Sequence, residues 1–86
     1  MLVLSDTLSI SQIDNEAVVL DAATGKYFGL NPTARRIFEV LQKTRSEEAA
    51  VDVLAGEFAV DRERLTKDVA AFIDLLLAKG LAHRQP

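Results

Sequence analysis

Three structural signals lie within one segment of this chain, Gly25-Lys26-Tyr27-Phe28-Gly29-Leu30-Asn31-Pro32-Thr33-Ala34-Arg35-Arg36-Ile37-Phe38. Gly25 favours a hairpin turn, and the aromatic-rich residues 26–30 predict a strand. Asn31 predicts a helix N-cap, because its side-chain oxygen can accept a bond from a free N–H of the first turn, and Pro32 suits the first helical position. The segment therefore separates a β half from a helical half.

Two further strands are predicted before this segment. Residues 7–13 show a loose apolar alternation, and residues 16–21 are apolar on both faces, which is typical of a central strand. Asp14-Asn15 favours a turn between them. We expect a meander of three short antiparallel strands, with one edge of the third strand open unless another element covers it.

Three helices are predicted after the strands. They cover residues 32–42, the segment from Ser46 to about Phe58, and residues 62–79. Ser46 and Asp61 are expected N-caps, Gly80 is an expected C-terminal cap, and residues 43–45 form a polar link. The order predicts an α+β fold in a single domain, 1–86, with its core at about residues 7–82.

The third predicted helix carries more apolar surface than one buried face requires. Its apolar residues span an arc of roughly 220°, wider than the stripe of about 100° of a surface helix. They are Leu65, Val69, Ala70, Phe72, Ile73, Leu75, Leu76 and Leu77. Either this helix is central and covered on both sides, or part of the arc lines an exposed groove beside the open third strand.

Composition excludes several classes of protein. The 86 residues carry a net charge of −3 and no Cys, so a disulfide scaffold is excluded and a phosphate backbone would be repelled. No run approaches the ~20 apolar residues of a membrane span, and the N-terminus does not resemble a signal peptide. We expect a cytoplasmic protein that binds neither membrane nor nucleic acid.

No catalytic or metal-binding pattern is present in the sequence. His83 is the one histidine, and it falls in residues 83–86, which we expect to form a disordered polar tail. The serines have no second His to activate them, and the glycines do not form a phosphate loop. We expect no enzyme activity and no cofactor.

The order of motifs resembles the PqqD-like family, also called the RiPP recognition element, over about residues 7–82. The resemblance is carried by Val19-Leu20-Asp21, the segment 25–31, Ala34, Ile37-Phe38, Asp68-Val69, Phe72 and Lys79-Gly80-Leu81. It implies a winged helix-turn-helix-like domain with three N-terminal strands and three helices. It also implies a peptide binder, in which the leader of a ribosomally made precursor adds as a strand beside strand three and lies against helix three.

The resemblance also implies the residues of the peptide site. They are Lys26, Tyr27, Phe28, Gly29 and Leu30 on the third strand and Arg64, Asp68 and Phe72 on the third helix. The strand backbone would pair with the leader, Gly29 would permit close approach, Phe72 would give apolar contact, and the two charged residues would recognise polar groups. Tyr27, Phe28, Leu30 and Phe72 have the alternative interpretation of core residues.

The segment 26–33 looks closer to the free-standing B1 proteins of lasso-peptide biosynthesis than to proteins of pyrroloquinoline quinone synthesis. That implies delivery of the precursor to a B2-type cysteine-protease leader peptidase and to a cyclase. The alternatives are a PqqD-type peptide chaperone for a radical-SAM or other RiPP enzyme, a winged-helix DNA-binding protein, and a domain that dimerises through its strand edge. We expect a monomer or a weak homodimer. Residues 62–79 contain four basic and three acidic residues, and this surplus of one positive charge supports DNA binding only weakly.

Overall fold

A computed structural model describes residues 1–14 and 16–85 as an α+β fold. Its elements are β1 (Leu2–Leu4), β2 (Leu8–Ile13), β3 (Glu16–Asp21), β4 (Tyr27–Leu30), α1 (Pro32–Thr44), α2 (Glu47–Glu57), α3 (Arg62–Ala78) and β5 (Ala82–Arg84). Asn15 of the predicted turn and Pro86 of the predicted tail lie outside the described residues. The predicted order of three antiparallel strands followed by three helices is confirmed.

The main sheet has the strand order β2-β3-β4, so β3 is the central strand, as its two apolar faces predict. Both pairings are antiparallel, and Val18 lies opposite Ser11 on one side and Gly29 on the other. Gly25, in the hairpin loop between β3 and β4, has a φ of 74°, which confirms the predicted need for a left-handed backbone there. β4 is thereby placed at the edge of the sheet.

The predicted helix caps are present. The Asn31 Oδ1 atom accepts a hydrogen bond from the Ala34 N–H at 2.7 Å, and Ser46 and Asp61 cap α2 and α3 in the same way. Gly80 follows α3 with a φ of 72°. The polar link at 43–45 was predicted wrongly in part, because α1 continues through Thr44 and ends at Arg45, which adopts the left-handed conformation without being glycine.

The core lies between the three helices and the chain ends. Its side chains come from all three helices and from the segments that flank them: Leu2, Ile37, Val40, Leu41, Ala50, Val51, Leu54, Leu65, Val69, Ile73, Leu76, Leu81 and Ala82. Phe38 of α1 is also fully buried. Within the described part of the chain, no helix is long and apolar enough to cross a membrane.

The two ends of the chain form a second sheet that the sequence pattern did not predict. β1 and β5 pair antiparallel, with Val3 opposite His83, and the Met1 ammonium donates to the Gln85 carbonyl at 2.8 Å. The prediction of a disordered tail from residue 83 is therefore wrong for residues 83–85. The reason is that the pairing joins segments about 80 residues apart, so no local signal marks it.

Candidate functional site

The free edge of β4 presents backbone groups of known direction. The Asp21 N–H donates to the Lys26 carbonyl at 2.9 Å, which marks these two residues as a hydrogen-bonded pair. Because such pairs alternate in an antiparallel ladder, Phe28 also bonds to β3, whereas Tyr27 and Gly29 direct their N–H and C=O groups away from it. No other strand within residues 1–14 and 16–85 pairs with that edge. The edge can therefore accept another strand.

An apolar groove lies beside this edge, between β4 and α3. It is a cavity of about 250 Å³ whose walls are Phe28, Gly29 and Leu30 from the strand and Phe72, Leu75 and Lys79 from the helix. Leu75 is 48% exposed, although the same helix supplies buried core residues, and it forms part of the groove wall. The groove interpretation of the wide apolar arc therefore agrees with the geometry.

The two ends of the groove wall differ in how firmly they are held. Phe72 packs edge-to-face on Phe38, with ring centroids 6.5 Å apart, so it serves the core as well as the groove. Near the C-terminal end of α3, the Lys79 Nζ atom lies 4.6 Å from the centroid of the Phe28 ring. Lys79 is the charged residue in an otherwise apolar lining.

A buried carboxylate holds the hairpin that positions β4. Asp21 is 6% exposed; its Oδ1 atom accepts hydrogen bonds from the Thr7 hydroxyl at 2.7 Å and the Ala23 N–H at 3.0 Å, and its Oδ2 atom accepts one from the Thr24 hydroxyl at 3.1 Å. The Thr7 hydrogen bond is the main reason that the pKa of Asp21 lies below its usual value of 3.8; burial acts in the opposite direction, and the bonds from Ala23 and Thr24 add to the lowering.

The predicted strand residues lie on two different surfaces. Phe28 and Leu30 face α3 and line the groove, whereas Tyr27 is 72% exposed on the opposite face of the sheet. Gly29 lies at the edge and borders the groove. Lys26 precedes β4 and its carbonyl is already bonded to β3. The side chains of Phe28 and Leu30 can therefore contact a ligand in the groove, whereas the side chain of Tyr27 cannot.

The predicted helix residues are also divided. Phe72 lines the groove, but Arg64 and Asp68 are exposed nearer the N-terminus of α3 and do not line the cavity. At helical spacing they continue the stripe that runs through Phe72 and Leu75, so a longer ligand would reach them. The prediction that they contact a peptide stays a prediction.

Sequence reasoning did not assign Leu75 or Lys79 to the site. Leu75 belonged to the wide apolar arc, but periodicity does not say which part of an arc remains exposed. Lys79 appears in the sequence analysis only as part of the motif Lys79-Gly80-Leu81, which does not indicate a contact with β4. Both assignments require the position of β4 against α3, which only the tertiary structure supplies.

Comparisons with known proteins agree on one relationship. The sequence pattern of the family described as "Coenzyme PQQ synthesis protein D (PqqD)" matches residues 16–82. A solved structure of TbiB1 in complex with the TbiA(beta) leader peptide has a TM-score of 0.81 and 34% identity, with 96% of each chain covered. A lasso peptide synthetase B1 complexed with the leader peptide has a TM-score of 0.80 and 31% identity, with 96% of this chain and 98% of the other covered. Among curated proteins, none matches the chain.

Proposed function

The chain belongs to the PqqD family, and from that premise we propose that it binds the leader segment of a ribosomally synthesised precursor, in a lasso-peptide pathway, without catalysing a reaction itself. The observation that carries the proposal is the open edge of β4 beside the apolar groove on α3, in a chain similar over 96% of its length to two chains solved with leader peptides.

The mode of binding that we propose is β-augmentation. The leader lies along β4 as a fourth strand and exchanges hydrogen bonds with the outward N–H and C=O groups of Tyr27 and Gly29. Its side chains on the helix side enter the groove between Phe28 and Leu75. Main-chain bonds then set the register, and the apolar groove selects the side chains.

The exposed charges of α3 extend this site. Lys79 faces the groove near one end, and Arg64 and Asp68 lie toward the other end of the helix. We propose that they contact polar groups of the leader outside the apolar segment. Because all three are solvent-exposed, each contributes more to specificity than to affinity.

The consequence of binding in this proposal is delivery. A non-catalytic module raises the local concentration of the precursor at an enzyme when it binds both. We propose a leader peptidase of the B2 cysteine-protease type as the first recipient and the cyclase as a second. In the alternative, this chain is a PqqD-type peptide chaperone whose recipient is a radical-SAM or other RiPP enzyme, and the same peptide site serves either function.

Fluorescence anisotropy of labelled leader peptides, taken from precursors encoded beside this protein, tests the proposal. We expect dissociation constants of about 1 μM or tighter, which corresponds to about −8 kcal/mol. A scrambled leader of the same composition is the control. If neither the leaders nor their longer precursors bind more tightly than the scrambled peptide, the proposed function is wrong.

The DNA-binding alternative makes a different prediction. Two of the basic residues of α3 are engaged in ion pairs, Arg62 with Asp52 and Lys67 with Glu63, which reduces the positive field of that helix. Retardation of duplex DNA at low salt would favour this alternative, whereas we expect none. Gel filtration with and without leader distinguishes the remaining alternative, self-pairing through β4, because leader binding would then dissociate a dimer.

A further inference from the structure

Neither the backbone conformation nor the packing within residues 1–14 and 16–85 requires glycine at position 29. Gly29 is not among the residues with positive φ, and a Cβ added to it meets no atom of these residues within 4 Å. A glycine inside a strand costs backbone entropy and provides no side chain to pack. On an edge strand, a position without a side chain is one that another chain can approach closely.

The space above Gly29 belongs to the sheet face that points away from α3. In this row of the sheet, Gly29 lies beside Val18, which is followed by Ser11 on β2. Tyr27 and Leu20 form the neighbouring row, and they are 72% and 40% exposed. Gly29, Val18, Tyr27 and Leu20 form a notch at the sheet edge, with Gly29 as its floor and the three apolar side chains around it.

We infer that this notch is a second subsite for the leader, which rests on the proposed function and extends it. In any strand added to β4, alternate side chains point to opposite faces. The leader residue opposite Gly29 therefore points to the face of Val18 and Tyr27 rather than into the groove. An aliphatic or aromatic side chain there lies across Gly29 and covers Tyr27 and Leu20. The leader is thus recognised on both faces of the extended sheet.

The carboxylate of Glu16 predicts a second property of the leader that occupies the notch. Glu16 lines the cavity on this face that includes Val18 and Tyr27, and it also lines a cavity at the end of β4 that includes Gly29 and Asn31. No ion pair involves Glu16 in the part of the chain that the structure describes. A leader with a basic residue two positions from the notch residue, on the Asn31 side, would complement this carboxylate.

The test is the affinity of the leader for Gly29→Val, with Ser9→Val as the control. Both substitutions place a valine on the same face of the sheet, but Ser9 lies on β2, two strands away from β4, or about 10 Å. Ser9 is exposed and does not line the cavity that contains Val18 and Tyr27. We expect both variants to fold, and melting temperatures check this. We expect Gly29→Val to weaken binding by about tenfold, equal to about 1.4 kcal/mol, Gly29→Ala to weaken it less, and Ser9→Val to leave it unchanged.

The inference is overturned if Gly29→Val binds the leader as tightly as the wild type or more tightly. That result is expected without a subsite on this face, because valine raises the β propensity of position 29. Binding of the leader by the wild type would still support the proposed function. An alanine scan of the leader adds a second criterion. Groove contacts alone predict sensitive positions spaced by two, whereas the inference predicts an additional sensitive position between them, whose effect disappears in Gly29→Val.

Two further outcomes decide the occupant and its charge. A wild-type dimer that Gly29→Val dissociates in the absence of leader would assign the notch to a second copy of this chain and overturn the inference. Glu16→Gln should lower affinity only for leaders with the basic residue, and it should reduce the salt dependence of their binding. An equal effect on leaders without that residue would contradict the charge assignment.

Discussion

The substitution Leu75→Ala tests the role of the groove in binding separately from the role of the core in stability. Leu75 is 48% exposed, so about half of its side chain already packs on the protein and the other half is available to a ligand. Full burial of a leucine contributes about 1.5–3 kcal/mol, so the exposed half is worth about 1 kcal/mol on binding. We expect Leu75→Ala to raise the dissociation constant of the leader about fivefold.

Fluorescence anisotropy with a labelled leader measures this change, and Val53→Ala is the matched control. Val53 is a similarly exposed apolar residue, 43%, on α2, away from the groove. It should leave the affinity unchanged. Equal affinities for wild type and Leu75→Ala, or an equal loss in both variants, would refute the assignment of the leader to the groove between β4 and α3.

Substitutions at three further positions test the framework of the site by urea unfolding. Phe72→Ala removes the edge-to-face contact with Phe38 and should lower the free energy of unfolding by about 2–3 kcal/mol, because the ring is only half-buried; an unchanged midpoint would contradict its core role. Asn31→Ala removes the cap of α1 and should cost about 1 kcal/mol, whereas Asn31→Asp should retain most of it. The pKa of Asp21 is lower in the folded state than the usual 3.8, so on acidification the carboxylate of the unfolded chain is protonated first. The ionised Asp21 therefore stabilises the fold above pH 3.8, and this contribution is lost as pH falls through the folded pKa. Asp21→Asn should lack this part of the acid dependence, and identical pH profiles of the two proteins would contradict it.

Local chemistry accounts for most of the elements that the sequence predicted correctly. Asn31-Pro32, Ser46 and Asp61 mark helix starts because their hydrogen bonds involve atoms only two or three residues away. Gly25 and Gly80 mark positions where the backbone takes a positive φ. The central position of β3 follows from its two apolar faces, since both are covered to some degree.

The features that the sequence did not predict depend on distant contacts. β1 and β5 have three residues each and pair across the length of the chain, so neither has a period of its own. Arg45 ends α1 in a conformation that favours glycine, and no sequence rule indicates this at an arginine. The role of Leu75 follows from where β4 lies against α3.

The buried carboxylate of Asp21 shows the same limit. In the sequence alone, an aspartate at the end of β3 is typical of an ordinary turn residue. Its actual partners include Thr7, which is 14 positions earlier in the chain and reaches it through the pairing of β2 with β3. A hydrogen-bond network of this kind becomes visible only when the sheet register is known.

Amide hydrogen exchange of the β4 edge, measured by NMR with and without leader, tests the central claim most directly. The N–H groups of Tyr27 and Gly29 point away from β3 and should exchange rapidly in the free protein, whereas that of Phe28 is protected by the sheet. If the leader adds as a strand, saturation with it should slow exchange at Tyr27 and Gly29 together and leave Phe28 little changed. Unchanged exchange at both residues in the saturated complex would contradict β-augmentation at this edge.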